Sequence, residues 1–190
     1  MVSQFVSSHS VQLLSNLPYT FPKHIHAIGR LDSKTEGLLL LTNNRSVTRL
    51  LFQGDVPHTR TYIVQVQNIV TDTTVLQLQN GISFAAIGGQ LYTTKPCIVE
   101  IIEEPNFAFA TPYTCNKYIS YTWLKITLTE GKYHQVRKMV AAVNHRCVRL
   151  IRVSIENITL GNLLPGQVQE MEEDEFFDQL NITNWQAAMY

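Results

Sequence analysis

Hydrophobic positions along this chain fall in short runs rather than in long periodic stretches. Residues 38–42, Leu-Leu-Leu-Leu-Thr, are bounded by Gly37 and by Asn43-Asn44, a length that suits a buried strand better than a helix. Ser46 can then cap a helix running to about Phe52. Residues 61–66 read Thr-Tyr-Ile-Val-Gln-Val, β-branched and aromatic with partial alternation, and predict a strand. Residues 73–80 follow as a helix that Gly81 stops.

Residues 92–102 and 118–129 are also β-rich, and the second alternates Trp123, Lys125 and Thr127 against Leu124, Ile126 and Leu128. Glu130-Gly131 then turns the chain into a helical pattern over 134–143, with Val136, Met139, Val140 and Val143 on one face. Residues 147–155 and 167–171 read as strands, and an acidic stretch ends in a helix through Leu180. Residues 105–114 and 161–166 read as loops. Helices and strands mix without strict βαβ alternation, so the fold class is α+β: a mixed, mostly antiparallel sheet with flanking helices and a central cleft. Residues 1–180 read as one domain, built of two closely packed halves, and 181–190 as a tail.

Composition narrows the class. With 190 residues, 45% of them hydrophobic, the chain can bury a substantial core. No apolar run approaches the roughly 20 residues that span a bilayer, and the N-terminus lacks the pattern of a secretory signal. No membrane association is expected. Cys97, Cys115 and Cys147 are widely spaced and form no Cys-x-x-Cys pair, which suggests neither a disulfide framework nor a zinc site and fits a reducing cytoplasm. His24 and His26 lack a third ligand nearby, so a structural role is preferred to metal.

Charge changes the picture more. The 15 acids and 15 Lys and Arg balance, which argues against a nucleic-acid partner. Six of the acids, however, fall between Glu170 and Asp178, leaving nine against all 15 bases in the preceding 169 residues. Between Lys132 and Arg152 stand six bases and no acid. Such a run is more often a solvated helix face than a binding site, but here it is the natural place to look for phosphate contacts.

The motifs decide between these readings. Residues 29–44, GRLDSKTEGLLLLTNN, resemble the signature of the RsuA-like family of ribosomal pseudouridine synthases. Residues 60–66 (RTYIVQV), 122–143 (TWLKITLTEGKYHQVRKMVAAV) and 149–171 (RLIRVSIENITLGNLLPGQVQEM) resemble further segments of that family, in its order. The combination TWLKITL with the Glu-Gly turn is most similar to the subgroup acting on large-subunit (23S) rRNA, the E subgroup. The strand and Lys-Pro that precede Ser3-Gln4-Phe5 in the family are missing, as is the S4 domain many members carry, so RNA binding is expected from the catalytic domain itself.

The resemblance implies an isomerase that needs no cofactor or metal. It breaks the N1–C1′ bond of a uridine, turns the detached base and rejoins it through C5. Asp32 is implied as the nucleophile, since an ionised carboxylate can attack carbon and leave again. Attack at C1′, attack at C6 and assisted elimination to a glycal all remain open. Arg137 is implied as the cation that holds Asp32 ionised, and Tyr62 as the ring on which the flipped base stacks. Arg30 is implied to fill the vacated stack or hold a phosphate, with a salt bridge to Glu36 as the plainer alternative. Lys132, Lys138, Arg149 and Arg152 are candidate RNA-backbone contacts. The expected partner is rRNA, and the chain is expected to act as a monomer. A non-catalytic RNA-binding or ribosome-assembly factor, or the same chemistry on tRNA or 16S rRNA, are the competing readings.

Overall fold

The computed structural model describes residues 1–53, 56–110, 113–183 and 185. In chain order the elements are β1 (His26–Ala27), β2 (Glu36–Gly37), β3 (Leu41–Thr42), α1 (Ser46–Gln53), β4 (Arg60–Gln67), α2 (Asp72–Asn80), β5 (Ser83–Ala85), β6 (Leu91–Thr93), β7 (Ile98–Ile102), β8 (Tyr121–Leu128), α3 (Gln135–Ala142), β9 (Cys147–Ile155), β10 (Ile158–Thr159) and α4 (Glu173–Gln179). The class is α+β. The main sheet runs β10-β9-β4-β8-β7, with β2 joined to β9; β1 with β3 and β5 with β6 form two small antiparallel pairs. All pairings in the main sheet are antiparallel except that of β2 with β9.

The long strands form where the sequence is β-branched and alternating. β4, β8 and β9 lie at the centre of the sheet, and their apolar side chains enter two clusters. One, built on Val64, Val66, Leu124, Ile126 and Leu150, packs beneath Leu78 of α2 and Val136, Met139 and Val140 of α3. The other joins Ile151 and Ile155 of β9 to Val47 and Leu51 of α1, to Phe177 of α4 and to Leu180 just after it. Burying a Leu, Ile or Phe side chain is worth about 1.5–3 kcal/mol, so each helix is held mainly by the face it turns to the sheet.

Four expectations change. The apolar run 38–42 is not one strand. It is extended, but Glu36–Gly37 pairs with β9 while Leu41–Thr42 pairs with β1, and Leu38 and Leu40 are buried between. The cap of α1 is Asn44, whose Oδ1 accepts from the Ser46 amide at 3.0 Å; Ser46 itself begins the helix. Residues 167–171 are extended without strand pairing, and residues 92–102 divide into β6 and β7 around Pro96. The expected tail falls largely on residue 184 and residues 186–190, outside the described residues, as do residues 111 and 112 of the expected 105–114 loop.

One glycine fixes the seam beside the site. Gly37 has φ +101, and a Cβ there would lie 2.2 Å from the Arg152 carbonyl oxygen. Only glycine lets β2 approach β9 this closely. The seam is closed by the Leu38 amide, which donates to the Arg152 carbonyl at 2.8 Å.

Candidate active site

The sequence around Asp32 makes a tight turn, with the Thr35 amide donating to the Asp32 carbonyl at 2.8 Å. Remote segments hold this turn. The Leu31 amide donates to Ser3 Oγ at 3.0 Å. The Lys34 carbonyl accepts from the Tyr113 hydroxyl at 3.3 Å and from Arg137 Nη2. The Asp32 carboxylate is left about one-third exposed, 3.5 Å from His134 Nε2. It stands at the rim of an apolar groove of about 1310 Å³, whose other walls come from the N-terminal segment, residues 38–41 and residues 158–171. Tyr62, His134, Arg137 and Arg152 do not line that groove.

Tyr62 reaches the site through an irregularity in the sheet. Thr61 pairs with Ser154 of β9, but Tyr62 pairs with Arg152, so Val153 is left over as a bulge. A bulge re-aims the side chains that follow it, and without it Tyr62 would oppose a different residue. Paired residues of an antiparallel ladder share a face. Tyr62 and Arg152 therefore project together, with the Tyr62 ring half-buried against the first core cluster. On its other edge, Arg152 is the register partner of Gly37, just beyond the Asp32 turn.

The basic residues separate into two kinds. Arg149 is 5% exposed and Arg152 is 4% exposed, so neither can serve as the expected phosphate contact. Both lie on a central strand covered on its edges by β2 and β4. Arg149 instead makes a two-pronged ion pair with Glu36, at 3.0 and 2.9 Å, with Phe107 and Phe109 against its guanidinium. The considered Arg30–Glu36 bridge is thus replaced by Arg149–Glu36. Arg152 donates through Nε to the Leu38 carbonyl at 2.8 Å, while its buried Nη2 makes no hydrogen bond. Burial pulls this guanidinium down from the usual arginine range; Tyr62, by charge and hydrogen bonding, and Asp32, by charge, act the other way. Arg30 and Lys132 are exposed, and Lys138 is half-buried with Nζ on the Ala85 carbonyl at 2.8 Å.

Arg137 does not form the expected ion pair. Its Nη2 donates to the Lys34 carbonyl and its Nη1 to Cys147 Sγ at 3.4 Å, so it clamps the main chain of the Asp32 turn rather than the carboxylate. The cation within ion-pairing distance of Asp32 is His134, when protonated. His134 precedes α3 in the left-handed region, at φ +54, a conformation that costs a non-glycine residue about 1–2 kcal/mol. Its ring is stacked on Tyr133 with centroids 3.9 Å apart.

The Glu130-Gly131 turn supports this arrangement. Glu130 accepts from the Tyr92 hydroxyl and from Gln135 Nε2, and Gln135 Oε1 accepts from the Lys132 amide at 2.8 Å. Burial, then Glu130, pushes the Tyr92 phenol up to about 12. His134, Glu130, Gln135, Ser3 and Tyr113 were not among the residues singled out from sequence. Only the Glu-Gly turn and the Ser-Gln-Phe segment hinted at them. Among the described residues there is no cluster of three or more potential metal-ligating side chains, and no helix is long and apolar enough to cross a membrane.

Comparison with known proteins gives consistent findings. A family model described as RNA pseudouridylate synthase matches residues 4–142. Ribosomal large subunit pseudouridine synthase E of Vibrio parahaemolyticus is 35% identical over 172 residues, covering 90% of this chain and 69% of that protein. Ribosomal small subunit pseudouridine synthase A of Escherichia coli is 33% identical over 152 residues, covering 80% of this chain and 57% of that protein. A solved structure described as a crystal structure of pseudouridylate synthase superposes with a TM-score of 0.68 at 26% identity, covering 85% of this chain and 63% of the other. The chain thus spans just over two thirds of the first relative and less than two thirds of the other two.

Proposed function

Given that the chain belongs to the RNA pseudouridylate synthase family, we propose that it converts a uridine of ribosomal RNA to pseudouridine, with Asp32 as the nucleophile and large-subunit rRNA as the substrate. The observation that carries this reading is that Tyr62 and Asp32 both act on Arg152, Tyr62 as its register partner and Asp32 by charge. These residues come from a turn and two strands far apart in sequence, and Gly37, five residues after Asp32, is the other register partner of Arg152.

A uridine in folded RNA must leave its stack to reach Asp32, at a cost of about a few kcal/mol. The half-buried Tyr62 ring offers a surface on which the turned-out base can stack, offsetting part of that cost. Asp32, partly exposed and close to cations, can attack the nucleoside as a carboxylate. The N1–C1′ electron pair departs with the uracil; C5 then forms the new bond to C1′, the C5 proton is lost and N1 gains one, so the product is an isomer of the substrate. Arg137 serves this chemistry by fixing the Asp32 turn through the Lys34 carbonyl. Arg30 and Lys132, exposed, and Lys138, half-exposed, are the bases placed to meet phosphates. The protein works as a monomer in the cytoplasm.

Pseudouridine mapping over both ribosomal subunits and tRNA tests the proposal, in a strain lacking the gene and complemented with wild type or Asp32→Ala. The expected result is one large-subunit site restored by wild type and not by Asp32→Ala. Restoration by Asp32→Ala would overturn the nucleophile assignment. A restored site in the small subunit would instead favour the substrate named for the Escherichia coli relative, and wild-type RNA binding without isomerisation would favour an assembly factor.

A further inference from the structure

We propose that Arg152 is a positioning residue for the isomerisation: set in the sheet between the Asp32 turn and Tyr62, its guanidinium holds both in working register from beneath the site without touching RNA. The inference rests on the assignment of Asp32 and Tyr62 above, and adds a residue to it.

Four observations carry it. Arg152 occupies the one position of β9 that is register partner both to Gly37, after the Asp32 turn, and to Tyr62, after the bulge. Its side chain is tied down, since main chain and Nε both bond to Leu38, each at 2.8 Å. It is 4% exposed, which leaves phosphate no access. Lastly, Nη2 is buried without a hydrogen bond, and a buried donor left unmade is costly, the more so on a charged group.

Arg149 shows what a purely structural arginine looks like in the same strand: its charge is closed off by Glu36 in a two-pronged pair. Arg152 has no carboxylate within 4 Å among the described residues. The groups acting on its charge are Tyr62, its register partner, and, at longer range, Asp32. An arginine stays cationic at neutral pH even when buried. Arg152 therefore acts as a fixed positive charge behind a carboxylate whose front remains open to substrate.

The charged and titratable groups around Asp32 are Arg30 and Lys34 on its own turn, His134 ahead of α3, Arg137 on α3, Arg152 on β9 and Tyr62 on β4, with Arg60 beyond Tyr62. Of these, Arg152 is the buried cation set between the Asp32 turn and Tyr62.

The test compares wild type, Arg152→Lys and Arg152→Met on rRNA substrate, with kcat and KM measured and the folded fraction followed by circular dichroism. Arg152→Met is expected to lower kcat by about 10²-fold, the effect of a small misplacement of reacting groups, with KM unchanged. Arg152→Lys, which keeps the charge and loses the fork, should recover only part of kcat. In a Tyr62→Phe background the loss from Arg152→Lys should shrink, because the partner hydroxyl is already gone.

A raised KM at unchanged kcat would mean direct RNA contact and overturn the proposal. So would a loss of activity that merely follows the folded fraction in both variants. Should Arg152→Met fail to fold, the Arg152→Lys measurements and the Tyr62→Phe cycle still decide, since independent losses there overturn the proposal. Asp32→Ala, run in parallel, separates the two levels: activity there sinks the catalytic assignment itself, whereas inactive Asp32→Ala with a wild-type-like Arg152→Met sinks only the role of Arg152.

Discussion

The helical and strand halves of the acid-free stretch at residues 132–152 carry the same sign of charge and treat it in opposite ways. Lys132 and Lys138 flank and sit on α3, where one side of the helix faces solvent; their ammonium groups rest over Tyr92 and over Phe84 and Tyr133. Arg149 and Arg152 sit on β9, flanked by β2 and β4, and are buried. A helix can turn its cations outward, while a central strand covered on both faces buries the side chains of both faces whatever their charge. Burial then demands a partner. The difference shows that a count of bases locates an RNA-facing surface only after the secondary structure that bears them is known.

Breaking the strand half should have the largest effect. Glu36→Gln leaves Arg149 with its charge uncompensated and should destabilise the fold by about 3 kcal/mol, read as a lower midpoint in urea. If instead the melt is unchanged, the burial contrast is not energetic. Replacing both partners, Glu36→Leu with Arg149→Met, should recover much of that loss, because two apolar groups of similar volume need no counter-charge.

The helical half should respond in binding rather than stability. Lys132→Ala with Lys138→Ala should leave the midpoint within about 0.5 kcal/mol and weaken RNA binding. The slope of log K against log salt should fall by about 0.7–0.9 for each phosphate that a lysine no longer neutralises. An unaltered slope would show that neither lysine meets the backbone.

The smallest effect lies at the first residue of β9. Burial pushes the Cys147 thiol up to about 11, against a smaller opposing effect of Arg137, and burial with Glu130 does the same to Cys97. A raised thiol pKa leaves little thiolate at pH 8. The native protein should therefore be alkylated there chiefly at the exposed Cys115, and all three cysteines should react in denaturant. Because the neutral thiols are favoured by folding, their contribution to stability is full below pH 9 and lost as pH rises toward about 11. Equal labelling of Cys147 and Cys115 in the native state would contradict the burial of this end of β9.

Much of this was legible in the residues. The long strands and the helices that cover them follow from local pattern, since β-branched alternation and an apolar helix face each specify their own element. Asp32, Tyr62 and Arg137 could be picked out through motif likeness. What local pattern does not contain is pairing. The division of residues 36–42 between two sheets depends on β9, more than a hundred residues away, and the bulge at Val153 that brings Tyr62 opposite Arg152 leaves no mark in composition. The ion pair of Arg149, the solitary charge of Arg152 and the approach of His134 to Asp32 all follow from those long-range pairings, and so were open to misreading as surface features.

The ties on the Asp32 turn also set a timetable. Its anchors stand 28, 79 and 103 positions away in the chain, at Ser3, Tyr113 and Arg137, and its neighbouring strand β9 comes later still. Closing such distant contacts is a late, entropically costly event. A growing polypeptide cannot possess this catalytic geometry until almost its whole length has emerged, so gain of activity during refolding should lag behind formation of the helices and report completion of the fold.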